Sequence, residues 1–237
     1  MPSRSLTSGE RNRTIVSHFI KSHMKSIPKI AVIGGTGKSG TYLVNTLLDQ
    51  GYAIKVLVRN PEKFQHQNPR AEVILGNVAE YEAVQRLIAG CDVVISALGS
   101  GIPPSKPTIF SQATEHIIRA MDEGEVRRYV LITGLNVDTP FDKKGPKTQA
   151  ATEWMYANYP TSTEDRQREY RLLAESPGDW TLVRLPMIEQ TNARGEVKSS
   201  LEDCPGDAIS ATDLAYFLIE QVTDHQYLRK SPFVATV

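Results

Sequence analysis

The chain has 237 residues, of which 27 are Lys or Arg and 27 are Asp or Glu, so its formal net charge is zero. A neutral chain lacks the global field that recruits nucleic acid or an anionic membrane, and no apolar run approaches the roughly 18 residues of a membrane span. The two cysteines, Cys91 and Cys204, have no metal-ligand spacing, and the five histidines are scattered. We therefore predict a cytoplasmic protein that binds no metal, nucleic acid or membrane.

The length and the 40% hydrophobic content suit one domain with a full core, which we place at residues 29–237. Residues 1–28 carry five basic residues against one acid, Glu10, and have no apolar core of signal-peptide length. We predict that this basic leader contributes nothing to function, and Met24 would be a natural start. An organelle-targeting segment is the alternative, because the leader is rich in Ser and Arg.

The stretch from Lys29 to Gly40 reads K-I-A-V-I-G-G-T-G-K-S-G and predicts a strand, a tight turn and a helix start. Gly34 would make the turn, Gly37 would face a pyrophosphate, and Gly40 would let the helix pack closely on the strand. The helix that begins near Lys38 would point its free N–H groups and its positive dipole end at the anion. This pattern predicts a dinucleotide-binding turn.

The flanking sequence favours that interpretation over two alternatives. A helical stripe that ends at Gly51 and a second apolar strand at Ile54–Val58 complete a βαβ unit, which a chance glycine-rich loop would lack. A Walker phosphate loop needs four residues between its first glycine and Gly-Lys-Ser/Thr. Gly37-Lys38-Ser39 follows Gly34 at the wrong distance for that motif.

The residue after the second strand predicts which dinucleotide is bound. An acid at this position hydrogen-bonds the ribose 2′-OH of NAD, whereas an arginine accommodates the 2′-phosphate of NADP. Arg59 follows Val58 and no acid precedes it, so the sequence favours NADP(H) as the cofactor. Lys63, one helical turn later, is a second candidate phosphate contact. The alternative for both residues is a solvated charge on a loop.

The next elements predict the adenine side of the site. Val73–Leu75 is a short third strand, Glu80–Ala89 is a helix, and Val93–Leu98 is the fourth strand. Small residues at Gly99-Ser100-Gly101 would let a cofactor lie across the carboxyl ends of the strands, where doubly wound folds bind their ligands. The candidate cofactor contacts in this part are Asn77, Val78, Ala97, Leu98 and Gly99.

The second half of the chain predicts the nicotinamide side. Strand five is expected at Tyr129–Thr133, and Thr133-Gly134-Leu135-Asn136 leaves it where the nicotinamide and its substrate would meet. The stretch Asp138–Lys147 is rich in Pro, Gly and Lys, which predicts an exposed, mobile loop over the site.

The C-terminal part predicts further alternation of helices and strands. Ser210 to Asp213 has the spacing of a capping box at a helix start, with Asp for the usual Glu. The other predicted elements are the helices Thr148–Asn158 and Ser162–Glu175, which Pro160 divides, strand six at Trp180–Val183 and a last strand at Pro232–Val237. We therefore predict a single α/β domain with a doubly wound parallel sheet, the Rossmann fold.

Four motifs also carry a family resemblance, and they are Gly34-Gly35-Thr36-Gly37-Lys38-Ser39-Gly40, Val56-Leu57-Val58-Arg59, Gly76-Asn77-Val78 and Asp179-Trp180-Thr181-Leu182-Val183-Arg184. They resemble the atypical short-chain dehydrogenase/reductases, specifically the NmrA-like NAD(P)H-binding group. The resemblance runs from about Lys29 to Val237. The order of the C-terminal half is most similar to the NADPH-dependent flavin reductase and biliverdin-IXβ reductase branch.

The resemblance implies roles for the residues at matching positions. It implies pyrophosphate contacts from the glycine-rich turn, at Gly34, Thr36, Gly37 and Ser39, with Lys38 and Gly40 as cofactor-binding neighbours. Arg59 and Lys63 would hold the 2′-phosphate, and Asn77 stands where the family usually has Asp. The residues that would border the nicotinamide are Thr133, Gly134, Pro186 and Met187. The substrate would lie against Asn136, Arg166, Tyr170 and Met187.

Two departures from the family weaken any assignment of a proton donor. The usual short-chain dyad is a Tyr with a Lys four residues on, and none of the nine tyrosines has Lys at that distance. The flavin and biliverdin branch usually has a Ser after strand five and a His after strand six, where this chain has Gly134 and Met187. The catalytic residues are therefore left unassigned.

The sequence favours an NADPH-dependent reductase of a flat conjugated acceptor, of flavin or quinone type, because hydride transfer to such acceptors is carried mainly by the cofactor. The alternative is a non-catalytic NADP(H)-binding redox sensor that acts through a regulatory protein partner, as some NmrA-like proteins do. A sugar-nucleotide epimerase is disfavoured, because the Tyr/Lys pair is missing. We expect a small-molecule acceptor as the partner in the first case, and a monomer or weak homodimer.

Overall fold

A computed structural model describes residues 27–64, 66–99 and 107–237. The strands are β1 Ile30–Ile33, β2 Ile54–Val58, β3 Ala71–Leu75, β4 Val93–Ser96, β5 Arg128–Gly134, β6 Asp179–Leu185, β7 Met187–Glu189, β8 Val197–Ser200, β9 Ala208–Ser210 and β10 Phe233–Thr236. The α-helices are α1 Lys38–Asp49, α2 Tyr81–Ile88, α3 Ile109–Glu123, α4 Pro146–Asn158, α5 Pro160–Glu175 and α6 Ala211–Glu220, and Pro61–Lys63 forms a 3₁₀ turn. Residues 1–26 of the predicted leader lie outside the described part, as do Ser100 and Gly101.

The strands form one sheet in the order β3-β2-β1-β4-β5-β6-β10-β9-β7, and β8 pairs with β10. From β3 to β10 every neighbouring pair is parallel, with Ile30 opposite both Ile54 and Val93 at the start of β1. The chain order reverses between β1 and β4, which is the switch point at which such sheets bind ligands.

Helices cover both faces of the sheet. In β5, Val130 and Ile132 pack in the core that contains α1 and α6, while Tyr129 and Leu131 pack in the core that contains α2, α3 and α5. Successive side chains of a strand point to opposite faces, so a strand buried on both faces reads as a continuous apolar run. The doubly wound α/β fold predicted from the sequence is therefore confirmed.

The far end of the sheet differs from the expected pattern. β10 is antiparallel to β8 and β9, and the sequence analysis identified none of the three short strands between residues 187 and 210. β8 reads Val-Lys-Ser-Ser and is only partly buried, so it carries neither an apolar run nor a clean alternation. α5 begins at Pro160, earlier than predicted, because proline is tolerated in the first turn of a helix.

Arg184 of β6 anchors the loop between β5 and α4, which was predicted to be exposed and mobile. This guanidinium is fully buried, and its Nη1 donates to both carboxylate oxygens of Asp142 at 2.6 and 2.8 Å. Lys144 is also buried, and its Nζ lies 2.6 Å from Oδ1 of Asp138. Most of the loop is exposed, as its composition predicts, but the residue that anchors it comes from β6, 42 residues away from Asp142 in sequence.

One of the two hydrogen bonds of the predicted capping box is present at the start of α6. The Ser210 hydroxyl accepts from the Asp213 backbone N–H at 2.9 Å, as in a capping box. The Ser210 backbone N–H, which a capping box would give to the side chain at position 213, donates instead to Thr236 Oγ1 at 3.3 Å. The Asp213 carboxylate accepts from Arg194 Nε at 2.7 Å and from Thr236 Oγ1 at 2.9 Å. Burial alone would raise the pKa of Asp213, but these hydrogen bonds outweigh it and hold the pKa below its ordinary value.

Candidate dinucleotide-binding site

The turn after β1 requires glycine at Gly34 for two reasons. Its φ is +76°, a conformation that L side chains rarely adopt, and a Cβ at this position would lie 2.5 Å from the Ala97 carbonyl oxygen. The Gly37 backbone N–H donates to the Gly34 carbonyl at 2.9 Å and closes the turn. The backbone at the end of β1 therefore lies directly against the backbone at the end of β4, at the switch point of the sheet.

Close packing of α1 depends on two more glycines. A Cβ at Gly40 would lie 2.0 Å from the Gly34 carbonyl oxygen, so the helix passes directly over the turn. A Cβ at Gly35 would lie 2.7 Å from Cγ1 of Val56, a constraint that the sequence analysis missed because Gly35 falls outside the three-residue spacing. Both contacts place the first turn of α1 at the carboxyl edge of the sheet.

The N-terminus of α1 has the features of an anion site. Gly37 is the N-cap residue, no described side chain caps the helix, and its first turn holds no acid. Gly37 and Lys38 are exposed, while Ser39 and Gly40 are buried beneath them. Uncapped N–H groups and the positive end of the helix dipole favour a phosphate at this point.

Two exposed basic residues follow β2, the strand next to β1. Arg59 follows β2, which neighbours β1 in the sheet, and Lys63 ends the 3₁₀ turn; both are exposed, and neither forms an ion pair within the described residues. The Asn60 side chain accepts from the Glu62 backbone N–H at 3.1 Å and fixes the turn between them. The arrangement offers two cations at the carboxyl end of β2.

The predicted adenine side is formed by the ends of β3 and β4. The Asn77 side-chain oxygen accepts from the Ala79 backbone N–H at 3.1 Å, so its amide NH₂ is the group that can meet a ligand. Val78 and Ala97 are buried, Leu98 is half-buried and Gly99 is exposed. These residues therefore offer backbone groups, small surfaces and one amide rather than charges.

The end of β5 carries two buried polar groups that no other described residue satisfies. Thr133 Oγ1 and Asn136 Nδ2 have no hydrogen-bond partner within the described residues, although both side chains are at least 95% buried. Gly134 lies between them, and the Leu135 backbone N–H donates to the Leu185 carbonyl at the end of β6 at 2.9 Å. This is the edge at which the sequence predicts the nicotinamide.

Arg166 reaches the same edge from α5, but its donors are largely used by the protein. Its Nη2 donates to the Leu98 carbonyl at 2.7 Å, and its Nη1 donates to the Ile132 carbonyl at 3.1 Å and to Glu169 at 2.8 Å. The guanidinium also lies 3.3 Å from the centre of the Phe110 ring. Arg166 thus ties the ends of β4 and β5 together, and its contact with substrate stays a prediction.

The other predicted substrate residues are divided between two places. The Tyr170 ring packs edge-on against Trp180, with the ring centres 6.2 Å apart, near the start of β6, and burial raises its pKa. Pro186 and Met187 follow the end of β6, and Met187 is 72% exposed. Met187 therefore borders the carboxyl edge, whereas Tyr170 contributes to the packing of α5 on the sheet.

Comparison with known proteins agrees with this geometry. A family model described as NAD(P)H-binding matches residues 34–225. A ketoreductase for 4-hydroxy-2-methyl-3-oxo-4-farnesyl-3,4-dihydroquinoline-1-oxide from Stigmatella aurantiaca is 27% identical over 65% of this chain and 48% of its own length. Oxidoreductase ptaF from Pestalotiopsis fici is 21% identical over 84% of this chain and 80% of its own length. The chain therefore spans about half the length of the ketoreductase.

A solved structure shows the same fold. A short-chain dehydrogenase/reductase from Veillonella parvula, in complex with NADP, superposes with a TM-score of 0.67 over 88% of this chain and 94% of its own, at 19% identity. Within the described part of the chain, no helix is both long and apolar enough to cross a membrane. The family match covers most of the chain and includes the glycine turn, α1 and the strand ends described above, so the chain belongs to the NAD(P)H-binding family.

Proposed function

We propose that the chain is an NADPH-dependent oxidoreductase that transfers a hydride to a flat conjugated acceptor of flavin or quinone type. The observation that carries the proposal is the meeting of two features at one sheet edge. The uncapped start of α1 forms an anion cradle, and the end of β5, two strands along the sheet from β1, holds the polar groups of Thr133 and Asn136, which have no partner within the described residues. A cofactor and a polar conjugated acceptor could meet across this edge.

NADP(H) rather than NAD(H) is proposed as the cofactor because Arg59 and Lys63 lie at the end of β2. A guanidinium can hold a 2′-phosphate with two charge-assisted hydrogen bonds, which a ribose hydroxyl cannot match in strength. NADPH supplies the hydride when it is bound. The residues of the chain would hold the phosphates, orient the ring and exclude water from the edge of the sheet.

We propose a conjugated acceptor because its reduction does not require a dedicated proton donor from the protein. The chain lacks the Tyr-x-x-x-Lys dyad, and Arg166 is already bonded to Glu169 and two backbone carbonyls. The ketoreductase relative acts on a quinoline-type compound with a ring ketone, according to its name. We also propose a cytoplasmic location and kinship with the NmrA-like group, closest to its flavin reductase and biliverdin-IXβ reductase branch.

The second candidate is a non-catalytic NADP(H) sensor that acts through a regulatory protein partner. The same observation on Arg166 favours it, since a side chain whose donors are used by the protein is not free to deliver a proton to an acceptor. The two candidates share the cofactor cradle and differ in turnover.

Turnover with NADPH separates the two candidates. Purified protein should reduce FMN or duroquinone at a rate that falls sharply in Gly37→Asp, because a carboxylate beside the uncapped helix start repels the pyrophosphate. Gly37→Asn is the matched control, since its side chain has the same size and no charge. Equal rates in wild type and Gly37→Asp would refute the reductase, and tight NADPH binding without turnover would favour the sensor.

A further inference from the structure

The turn after β5 holds Asn136 in a fixed place. The Val137 backbone N–H donates to the Gly134 carbonyl at 3.3 Å, and the Val137 carbonyl accepts from Nη1 of the buried Arg184 at 3.0 Å. The Leu135 N–H is bonded to the end of β6 at 2.9 Å. Each residue that flanks Asn136 is thus tied to β5 or β6, so the side chain is positioned by rigid elements rather than by a free loop.

Gly134 makes room for the Asn136 side chain. A Cβ at position 134 would lie 2.2 Å from Oδ1 of Asn136 and 3.4 Å from its Cγ, so any side chain larger than hydrogen would displace the carboxamide. Val130 and Ile132 of β5 face the core that contains α1, and Gly134 continues that alternation. The carboxamide therefore folds back over the strand end on the face of the sheet that carries α1, the helix with the anion cradle.

The carboxamide is also incomplete as a hydrogen-bonding group. Asn136 is only 3% exposed, and its Nδ2 has no partner within the described residues. A buried donor left unpaired destabilises the folded state, and most buried polar groups in native proteins are paired. The carboxamide is held in place at the carboxyl edge of a dinucleotide-binding sheet although its donor lacks a partner within the described residues. We therefore expect a bound ligand to accept its hydrogen bond.

We propose that the Asn136 carboxamide binds the carbonyl group of the acceptor and so determines which acceptors the site takes. This inference rests on the proposed function and names the acceptor class: a compound with a ring carbonyl, such as a quinone. In the reaction, a hydride with its electron pair passes from NADPH to the quinone, and solvent supplies one proton. NADPH is oxidised to NADP⁺, the quinone is reduced to a hydroquinone, and the amide stabilises the oxygen that gains charge.

Three variants test the proposal with duroquinone as the probe. Asn136→Ala should lower kcat/KM by about tenfold, the value of one neutral hydrogen bond, without changing the NADPH dissociation constant. Gly134→Ser alone should also lower kcat/KM, because its side chain meets the carboxamide. The double variant Gly134→Ser/Asn136→Ala should recover much of the loss, since the serine hydroxyl then occupies the vacated space. A double variant no better than Asn136→Ala would overturn the coupling of the two positions.

A binding measurement separates this inference from the proposed function. Calorimetric titration of duroquinone into the protein saturated with NADP⁺ needs no turnover. Asn136→Ala should bind the quinone about tenfold more weakly than wild type, even if wild type reduces no acceptor. Equal affinities, or a wild type that binds no quinone, would overturn the assignment of Asn136. An unchanged melting temperature in each variant, and an unchanged NADPH affinity in Asn136→Ala, show that the fold is intact.

Discussion

Replacing Arg184 by Met should destabilise the protein more than removing any exposed ion pair. The guanidinium is fully buried and donates to the Ser231, Val137 and Leu201 carbonyls at 2.9, 3.0 and 3.2 Å, in addition to Asp142. It also lies 3.5 Å from the centre of the Phe233 ring. Methionine keeps much of the apolar stem and removes every one of these donors.

The expected loss of stability follows from the Asp142 carboxylate, which the substitution leaves without its guanidinium partner. Removing one partner of a buried ion pair costs about 3 to 5 kcal/mol, because the other charge stays buried without compensation. Asp142 would keep its two hydrogen bonds from Thr139 and would still have Lys144 Nζ at 3.8 Å, so we expect the low end of this range. For a chain of this size each kcal/mol corresponds to about 2 to 4 °C, so the melting temperature should fall by about 6 to 12 °C. Arg184→Met/Asp142→Leu should recover part of this loss, since replacing both charges by apolar groups is often nearly neutral.

Arg127→Met is the matched control for this measurement. Arg127 pairs with Asp179 at 3.4 Å, but its side chain is 66% exposed, and exposed pairs contribute about 0 to 1 kcal/mol. Urea unfolding followed by circular dichroism should therefore give a much larger loss for Arg184→Met than for Arg127→Met. Similar losses in the two variants would show that Arg184 does not anchor the loop beside the site.

Three further predictions concern other parts of the chain. Gly40→Ala should displace α1 and abolish most NADPH binding, because its Cβ would lie 2.0 Å from the Gly34 carbonyl oxygen. Gly178→Ala should leave NADPH binding unchanged, because its nearest contact would be an ordinary one at 3.6 Å. Calorimetric titration of NADPH into both variants checks this. Because the pKa of Asp213 is lowered in the folded state, its carboxylate contributes stability that is complete above the ordinary Asp pKa of about 4. This stability is lost as the pH falls through the pKa of Asp213 in the folded protein. The free energy of unfolding of Asp213→Asn should therefore depend less on pH in that range than the free energy of unfolding of wild type. Deleting the residues before Met24 should leave the NADPH affinity and the melting temperature nearly unchanged, and a large fall in either would contradict it.

Much of the fold could be predicted because local patterns determine it. The apolar run at Ile54–Val58 predicted β2 within its observed bounds, and Gly51, with a φ of +84°, follows the end of α1 as expected. Gly34 and Gly40 could be assigned because their spacing reflects a contact between residues six apart in the chain. Such signals are contained in a few neighbouring residues and need no knowledge of tertiary structure.

Other features depend on contacts between distant parts of the chain. Arg184 was recognised only as part of a motif, since its side-chain partners lie 17 to 47 residues away in sequence and no local pattern reveals them. The space that Gly134 leaves for Asn136 follows from a side-chain conformation, which spacing alone does not give. The short strands between residues 187 and 210 are stabilised by pairing with one another and with β10 rather than by their own composition.

We propose that the cradle at the start of α1 binds NADPH and that Arg59 selects it over NADH. Calorimetric titration of both cofactors into wild type and Arg59→Ala measures this selection. Hydrogen bonds to a charged group contribute about 1.5 to 3 kcal/mol, so Arg59→Ala should weaken NADPH binding by roughly 10- to 150-fold and affect NADH far less. Lys63→Ala in the same background shows whether the second cation compensates. A wild type that prefers NADH, or a mutant that loses both cofactors equally, would show that Arg59 does not select the cofactor.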